Sequence, residues 1–237
     1  MEIIILKINQ YKEKDGIIDA ISKEGKHTFL VRSLFDPKNK NAGLNNPLTI
    51  ADVELGPNNG RYQHDVISSS IVLFTPVIPQ ANLLHMSSIM LINEVTNFLL
   101  SDEEKPEMYF DLVNTIHELK KNNNPLKVVL PYLAKICKIS GYDFEVNECI
   151  TCGSKKKIVT FSFNDGGFIC ENCYTDDIPR EFNRQQMLTI REAFLTKEPA
   201  IKNQEISDEE LMFIIDKFFE FIFDSYGYRI KAFDLLK

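Results

Sequence analysis

The chain has 237 residues, 44% of them hydrophobic and 26% charged, with 5 cysteines and no tryptophan; this is enough for one large or two small globular domains and leaves no case for a disordered chain. Its formal charge of −7 argues against a uniformly basic coat for nucleic acid. Residues 1–78 hold 9 Lys and Arg against 9 Asp and Glu, and the remainder 18 against 25, so a polyanion site falls first in the neutral first third or in a local cluster.

In chain order, the opening MEIIILKINQ lacks a basic leader and a small-residue cleavage site, so it reads as a strand and not a secretory signal. Residues 2–8 (EIIILKI), 17–22 (IIDAIS) and 27–32 (HTFLVR) predict three strands, the last two joined by a turn at Lys23, Glu24, Gly25 and Lys26. Residues 33–47 (SLFDPKNKNAGLNNP) are rich in Asn, Gly and Pro and predict a loop. Residues 48–55 (LTIADVEL) and 62–72 (YQHDVISSSIV) predict two more strands, joined by a Gly-Pro-Asn-Asn-Gly turn at 56–60. Five strands with one long loop after the third suit a β-barrel of OB type, taken as a domain over 1–78.

The longest stretch free of Asp, Glu, Lys and Arg runs over 66–93, but Pro76 and Pro79 break it. It predicts a buried strand and a buried helix and no membrane span, so a cytoplasmic chain is expected. Residues 81–100 carry a broad helical apolar face. Ser101, Asp102, Glu103 and Glu104 fit a capping box with a helix following to about Lys121. A third helix covers 126–141, kinked or started near Pro131 and stopped by Gly141, and a fourth covers 183–195. Ser207, Asp208, Glu209 and Glu210 form a second capping box before the aromatic helix LMFIIDKFFEFIFDSY, which Gly227 ends. The expected fold class is therefore α+β and multidomain: an OB-type barrel, then a helical domain over 79–237 with a cysteine hairpin inserted at about 147–175.

Four of the five cysteines stand as Cys149-x2-Cys152-x17-Cys170-x2-Cys173. Each C-x-x-C turns tightly enough to aim two sulfurs at one point, and two such pairs at this separation are a zinc pattern. Ile158 begins a β-prone IVTFSF run, Asn164 to Gly167 is a turn, and Phe168 and Ile169 resume before the second pair, so a hairpin feeds the site. Disulfides and free thiols are the rival readings, and a cytosolic setting disfavours disulfides. Four thiolates close the coordination shell, so the predicted zinc is structural and not catalytic. Cys137, in YLAKICKI, reads as a core residue.

The chain has no phosphate-binding glycine loop, no dinucleotide fingerprint and no serine elbow, and its four histidines show no ligand spacing. The predicted protein is not an enzyme. Arg32, Lys38 and Lys40, in or beside the long barrel loop, are candidate DNA contacts because loops beside OB strands meet single strands. Lys155, Lys156 and Lys157 near the start of the hairpin read first as a solvated turn and second as phosphate contacts. Phe29, Phe35 and Tyr62 are the barrel aromatics on which bases could stack.

ISGYDFEVNECITCGS (139–154) and FSFNDGGFICENC (161–173) resemble the corresponding stretches of the RecO family, and the order of barrel, helical domain and inserted four-cysteine hairpin resembles the family over nearly the whole chain. The resemblance implies a non-enzymatic DNA repair and recombination mediator. Such proteins bind single- and double-stranded DNA, anneal complementary strands, engage the acidic C-terminal tail of single-strand-binding protein, and with RecR help load the RecA recombinase. The stretch LVRSLFDPKNKNAG (30–43) departs from the family's basic loop, because Asp36 intrudes and fewer cations remain. That departure keeps a second reading in play, a protein–protein adaptor of the same pathway with little DNA affinity.

Overall fold

β1 (Glu2–Tyr11) buries Ile3, Ile4, Ile5 and Leu6 in succession. Neighbouring side chains of a strand point to opposite faces, so such a run needs cover on both sides. The computed structural model, which describes residues 1–57, 60, 62–78, 82–203 and 205–235, supplies both covers. β1 pairs antiparallel with β2 (Asp15–Ser22), which pairs with β3 (Gly25–Val31). β4 (Ile50–Leu55) and β5 (Asp65–Phe74) form the second antiparallel pair. A short parallel contact, Phe29 to Asp65 and Leu30 to Val66, joins β3 to β5, and β4 returns to β1. The sheet is thus a closed barrel in the order β1-β2-β3-β5-β4, and the predicted fold class is the one observed. Ile3, Ile5, Ile18, Phe29, Val31 and Val53 are among the residues that fill its interior. On the outer side, Asn97 of α1 (Leu83–Leu99) donates from Nδ2 to the Leu6 carbonyl at 3.2 Å.

The long loop after β3 is an ordered chain of turns. Ser33 takes φ 50°, and its N–H donates to Asp15 Oδ1 at 2.8 Å. Leu34 and Leu44 reach into the barrel core, with Leu44 in a short 3-10 helix, Ala42–Leu44. Gly16 is required by this close approach, since a Cβ there would strike the Leu34 side chain. The predicted turn at 56–60 falls partly outside the described residues.

Two compact units divide the chain, Met1–Asn123 with Ala232–Lys237, and Asn124–Lys231. In the first, α1 is capped by the Asn82 side chain, which accepts from the His85 N–H. The predicted capping box at Ser101 forms both of its bonds, Ser101 N to Glu104 Oε2 at 2.7 Å and Glu104 N to Ser101 Oγ at 3.3 Å. It opens only a series of turns, and α2 begins later, at Tyr109–Lys121. Pro106 supplies no N–H to continue a helix from the box. Tyr109 is 1% exposed and its hydroxyl donates to Glu2 Oε1 at 2.7 Å; burial, then this carboxylate, hold the phenol well above its ordinary pKa. Asp102 bridges Lys105 at 2.7 Å and Lys26 of β3 at 3.2 Å.

In the second unit, α3 (Leu126–Ile139) is buried nearly all round. The chain runs helically through Pro131, which leaves the Lys127 carbonyl without its usual partner four residues on. The N–H of Ile201 takes that carbonyl at 2.8 Å. Gly141 at φ 88° ends the helix as predicted, with Tyr142 N bonded to the Cys137 carbonyl at 2.8 Å. α4 (Arg184–Leu195) and α5 (Asp208–Tyr226) each start on a complete capping box, at Asn183 and at Ser207, and Gly227 closes α5 in the left-handed region. A short α6 (Lys231–Asp234) returns to the first unit from Ala232 onward, where the Ala232 N–H donates to Glu94 Oε2 at 2.7 Å and Ser87 Oγ donates to the Leu235 carbonyl at 3.4 Å.

The predicted hairpin is a three-stranded sheet. β7 (Ile158–Ser162) and β8 (Gly167–Cys170) form the hairpin, and β6 (Glu145–Cys149) lies parallel to β8 on its other side. Phe161 is 1% exposed and its ring meets those of Phe144, Phe163, Phe168, Phe182 and Phe194 at centroid distances of 4.9 to 6.5 Å. These rings join the sheet to α4, and Phe163 meets Phe218 and Phe221 of α5 at 4.8 and 5.5 Å.

Candidate functional site

The four cysteines meet at the ends of β6 and β8. Cys149 closes β6, and its N–H and carbonyl take the Ser154 carbonyl and the Gly153 N–H, each at 2.8 Å. This tight turn needs the left-handed φ of 71° at Gly153. Cys170 closes β8, and its carbonyl accepts from Cys173 and Tyr174 at 3.1 and 3.0 Å. The Sγ atoms of Cys149, Cys152, Cys170 and Cys173 all lie within 4.8 Å of one another, and those of Cys152 and Cys170 are 3.6 Å apart. Four sulfurs at ~2.3 Å from a tetrahedral ion would stand roughly 3.8 Å apart, so the donor set fits such an ion.

The electrostatics agree. Burial raises the Cys149 thiol, but backbone N–H groups of Cys170, Cys152 and Thr151 outweigh it and bring the thiol down to about 6. Cys173 is pushed up to about 12, first by the Cys152 sulfur beside it and then by burial. Four thiols this close ionise together only when a cation shares their charge. Cys149 and Cys170 are buried and Cys152 is exposed, so the cluster sits at the surface edge of the sheet. Cys137 lies apart in α3, and burial pushes its thiol up to about 12. Among the described residues, these four cysteines form the one cluster of three or more His, Cys, Asp or Glu side chains that could hold a metal ion.

The barrel carries a separate cleft of about 470 Å³, lined by Arg32, Lys40, Asn39, Asn41 and Tyr62 among others. Arg32 lies over the Tyr62 ring, 4.9 Å from its centroid, and donates to the Tyr62 hydroxyl. Lys38 is exposed on the same loop but does not line the cleft. Asp36, the intruding acid, has its carboxylate 3.7 Å from Lys14 Nζ. Arg32, Lys38 and Lys40 have no carboxylate within 4 Å among the described residues, so their charge is available. Of the three aromatics singled out from the sequence, Phe29 is in the core, Phe35 packs against it, and Tyr62 reaches the cleft.

The lysine run divides. Lys155 faces Glu148 at 3.9 Å, Lys157 pairs with Glu171 at 2.7 Å, and Lys156 has no ion pair among the described residues. All three lysines are exposed, with Lys155 and Lys157 beside glutamates. Both also line a groove of about 540 Å³ with Ile158, Leu188, Arg184 and Arg191. The two α4 arginines were missed from the sequence. Their signal was present, since Arg184, Leu188 and Arg191 stand at i, i+4 and i+7 of a helix.

The described architecture is thus an OB-type barrel followed by a helical part that carries a four-cysteine knuckle. The model of the family described as recombination protein O, C terminal, matches residues 80–219. The chain is 25% identical over 232 residues to the DNA repair protein RecO of Oceanobacillus iheyensis, covering 94% of this chain and 86% of that protein. It is 24% identical to the Bacillus subtilis protein of the same name, covering 92% and 86%, and 25% identical to that of Halalkalibacterium halodurans, covering 73% and 68%. The chain belongs to the RecO family. Among the described residues no helix is long and apolar enough to cross a membrane.

Proposed function

We propose that this chain is a non-enzymatic mediator of DNA repair and homologous recombination. It binds single- and double-stranded DNA, anneals complementary strands, and works with RecR and single-strand-binding protein to assist RecA loading. The observation that carries the reading is the family match, supported by three cations in or beside the barrel loop that have no carboxylate within 4 Å among the described residues. Annealing asks only that phosphates be neutralised and two strands be held close, which needs no nucleotide site. In this reading 1–78 is the DNA-handling barrel and 79–237 the partner module. Cys149, Cys152, Cys170 and Cys173 hold one zinc ion, which fixes the sheet and takes no part in chemistry.

The salt dependence of binding tests the DNA reading. With Arg32, Lys38 and Lys40 as the main contacts, log K for a single-stranded oligonucleotide falls against log salt with a slope of about −2, at roughly −0.7 per phosphate. Replacing Arg32 and Lys40 with glutamate together removes most of that slope and slows annealing. Wild-type protein that binds no DNA at low salt but retains its protein partners would establish the adaptor reading instead, which the pairing of Lys155 and Lys157 with glutamates favours.

The acidic tail of single-strand-binding protein is the partner whose chemistry suits the α4 groove, with a cationic rim at Arg184, Arg191 and Lys155 and an apolar floor at Ile158 and Leu188. Charge reversal at Arg184 is expected to weaken capture of a fluorescent tail peptide about tenfold or more, because it removes a rim attraction and puts a repulsion in its place. Unchanged peptide affinity would remove the groove from the scheme.

A further inference from the structure

The α4 groove is built in good part from the knuckle. Val146 of β6, Lys157 and Ile158 from the chain between Cys152 and Cys170, and Phe168 of β8 line it, and α4 contributes Arg184 and Leu188. We propose that metal binding at the four cysteines and acidic-peptide binding in this groove are coupled, the occupied knuckle being what makes the groove competent; the inference rests on the reading of the groove as an acidic-peptide site.

The groove residues of the sheet are tied to the cysteine turns. Ile158 stands opposite Cys170 in the β7–β8 ladder. The Lys157 carbonyl accepts from the Glu171 N–H at 2.9 Å, and Lys157 Nζ reaches Glu171 Oε2 at 2.7 Å; Glu171 lies between Cys170 and Cys173. The Phe168 carbonyl accepts from the N–H of Ile150, inside the first turn, at 2.8 Å. The rim arginine is held by the same sheet. Arg191 Nε donates to the Val146 carbonyl at 3.1 Å and Nη2 to Asn147 Oδ1 at 3.3 Å, on the strand that Cys149 closes.

The backbone supplies the element with two arrangements. Lys157 takes φ 53°, in the left-handed region that a side-chain-bearing residue keeps only where its surroundings enforce it. Here the enforcing bonds come from the second cysteine turn. A cation shared by the four sulfurs joins both turns at one point. Its release lets Lys157 relax out of the left-handed region and withdraw its ammonium from the rim, so acidic side chains lose a partner. Two ligands that bias one two-state element are coupled, and the coupling is reciprocal: the peptide must tighten metal binding by the factor that the metal tightens peptide binding.

The test competes zinc from the loaded chain at equilibrium with a chromophoric chelator, with and without saturating fluorescent tail peptide. The peptide is expected to raise zinc affinity about tenfold, within the usual range of such couplings. The loaded chain should bind the peptide tighter than the chelator-stripped chain by the same factor, and in Arg184→Glu the peptide should no longer shift zinc affinity. Circular dichroism of the stripped chain should keep its helical signal, which places the coupling in the knuckle. A peptide that binds the loaded chain without shifting zinc affinity overturns the coupling and leaves the groove as a peptide site. An equal shift in Arg184→Glu, or loss of the helical signal on stripping, also overturns it, since the peptide then acts elsewhere or the whole unit is what both ligands bias. A peptide that fails to bind the loaded chain overturns the groove reading and the coupling with it.

Discussion

Replacing Cys149 or Cys170 with serine is expected to abolish metal retention and to melt the knuckle and its sheet. Both sulfurs are buried at strand ends, and each strand end is defined by the turn its cysteine makes. Structural zinc contributes about 10–16 kcal/mol of apparent binding in small zinc-dependent peptides. Even a third of that, lost from a chain of this size, lowers Tm by about 10 °C or more. Strong chelators should reproduce the effect, and acidification should release the ion because protons compete for the thiolates. Cys137→Ser is the control. It should keep one zinc per chain and cost on the order of 1 kcal/mol, since that thiol lies apart in α3. Metal analysis beside a thermal scan decides the matter. A cysteine variant that loses the ion yet melts like wild type, while losing annealing, would mean that zinc acts on DNA and not on the fold.

Phe161→Ala should be nearly as damaging, at about 3–5 kcal/mol. The ring is 1% exposed and touches five other phenylalanines, from Phe144 just before β6 and Phe168 of β8 through to Phe194 of α4. Its removal leaves a cavity that rigid aromatic neighbours fill poorly. The variant should still bind zinc, because Phe161 makes no bond to a cysteine turn, so metal content and denaturant midpoint should come apart. A loss below about 1 kcal/mol would show that the cluster repacks freely. Phe161→Leu, which keeps most of the apolar packing, is expected to fall between.

Those features that depend on near neighbours were legible in the sequence. The C-x-x-C pairs, the Ser207 box and Gly227 act within a few residues of themselves, and the structure places each as read. The barrel strands were legible as β-prone runs bounded by turn residues; burial alternates over Asp15–Ala20 of β2, while the unbroken apolar run of β1 marks cover on both faces. Features that depend on distant partners were not. EVNEC (145–149) became strand β6 only because β8 lies beside it in parallel. Arg32 and Tyr62 meet only when β3 and β5 close the barrel. The Ser101 box was legible as a box, but Pro106 decided what followed it.

The bonds from Ala232 to Glu94 and from Ser87 to Leu235 set an order of assembly. During vectorial synthesis the barrel and α1 emerge first, yet the acceptor on α1 waits for a donor made more than a hundred residues later. The second unit is thus an insertion within the first. The early unit leaves the ribosome unfinished and is completed only after the knuckle's cysteines have been made. The residues that complete the first unit are therefore translated only after all four knuckle cysteines.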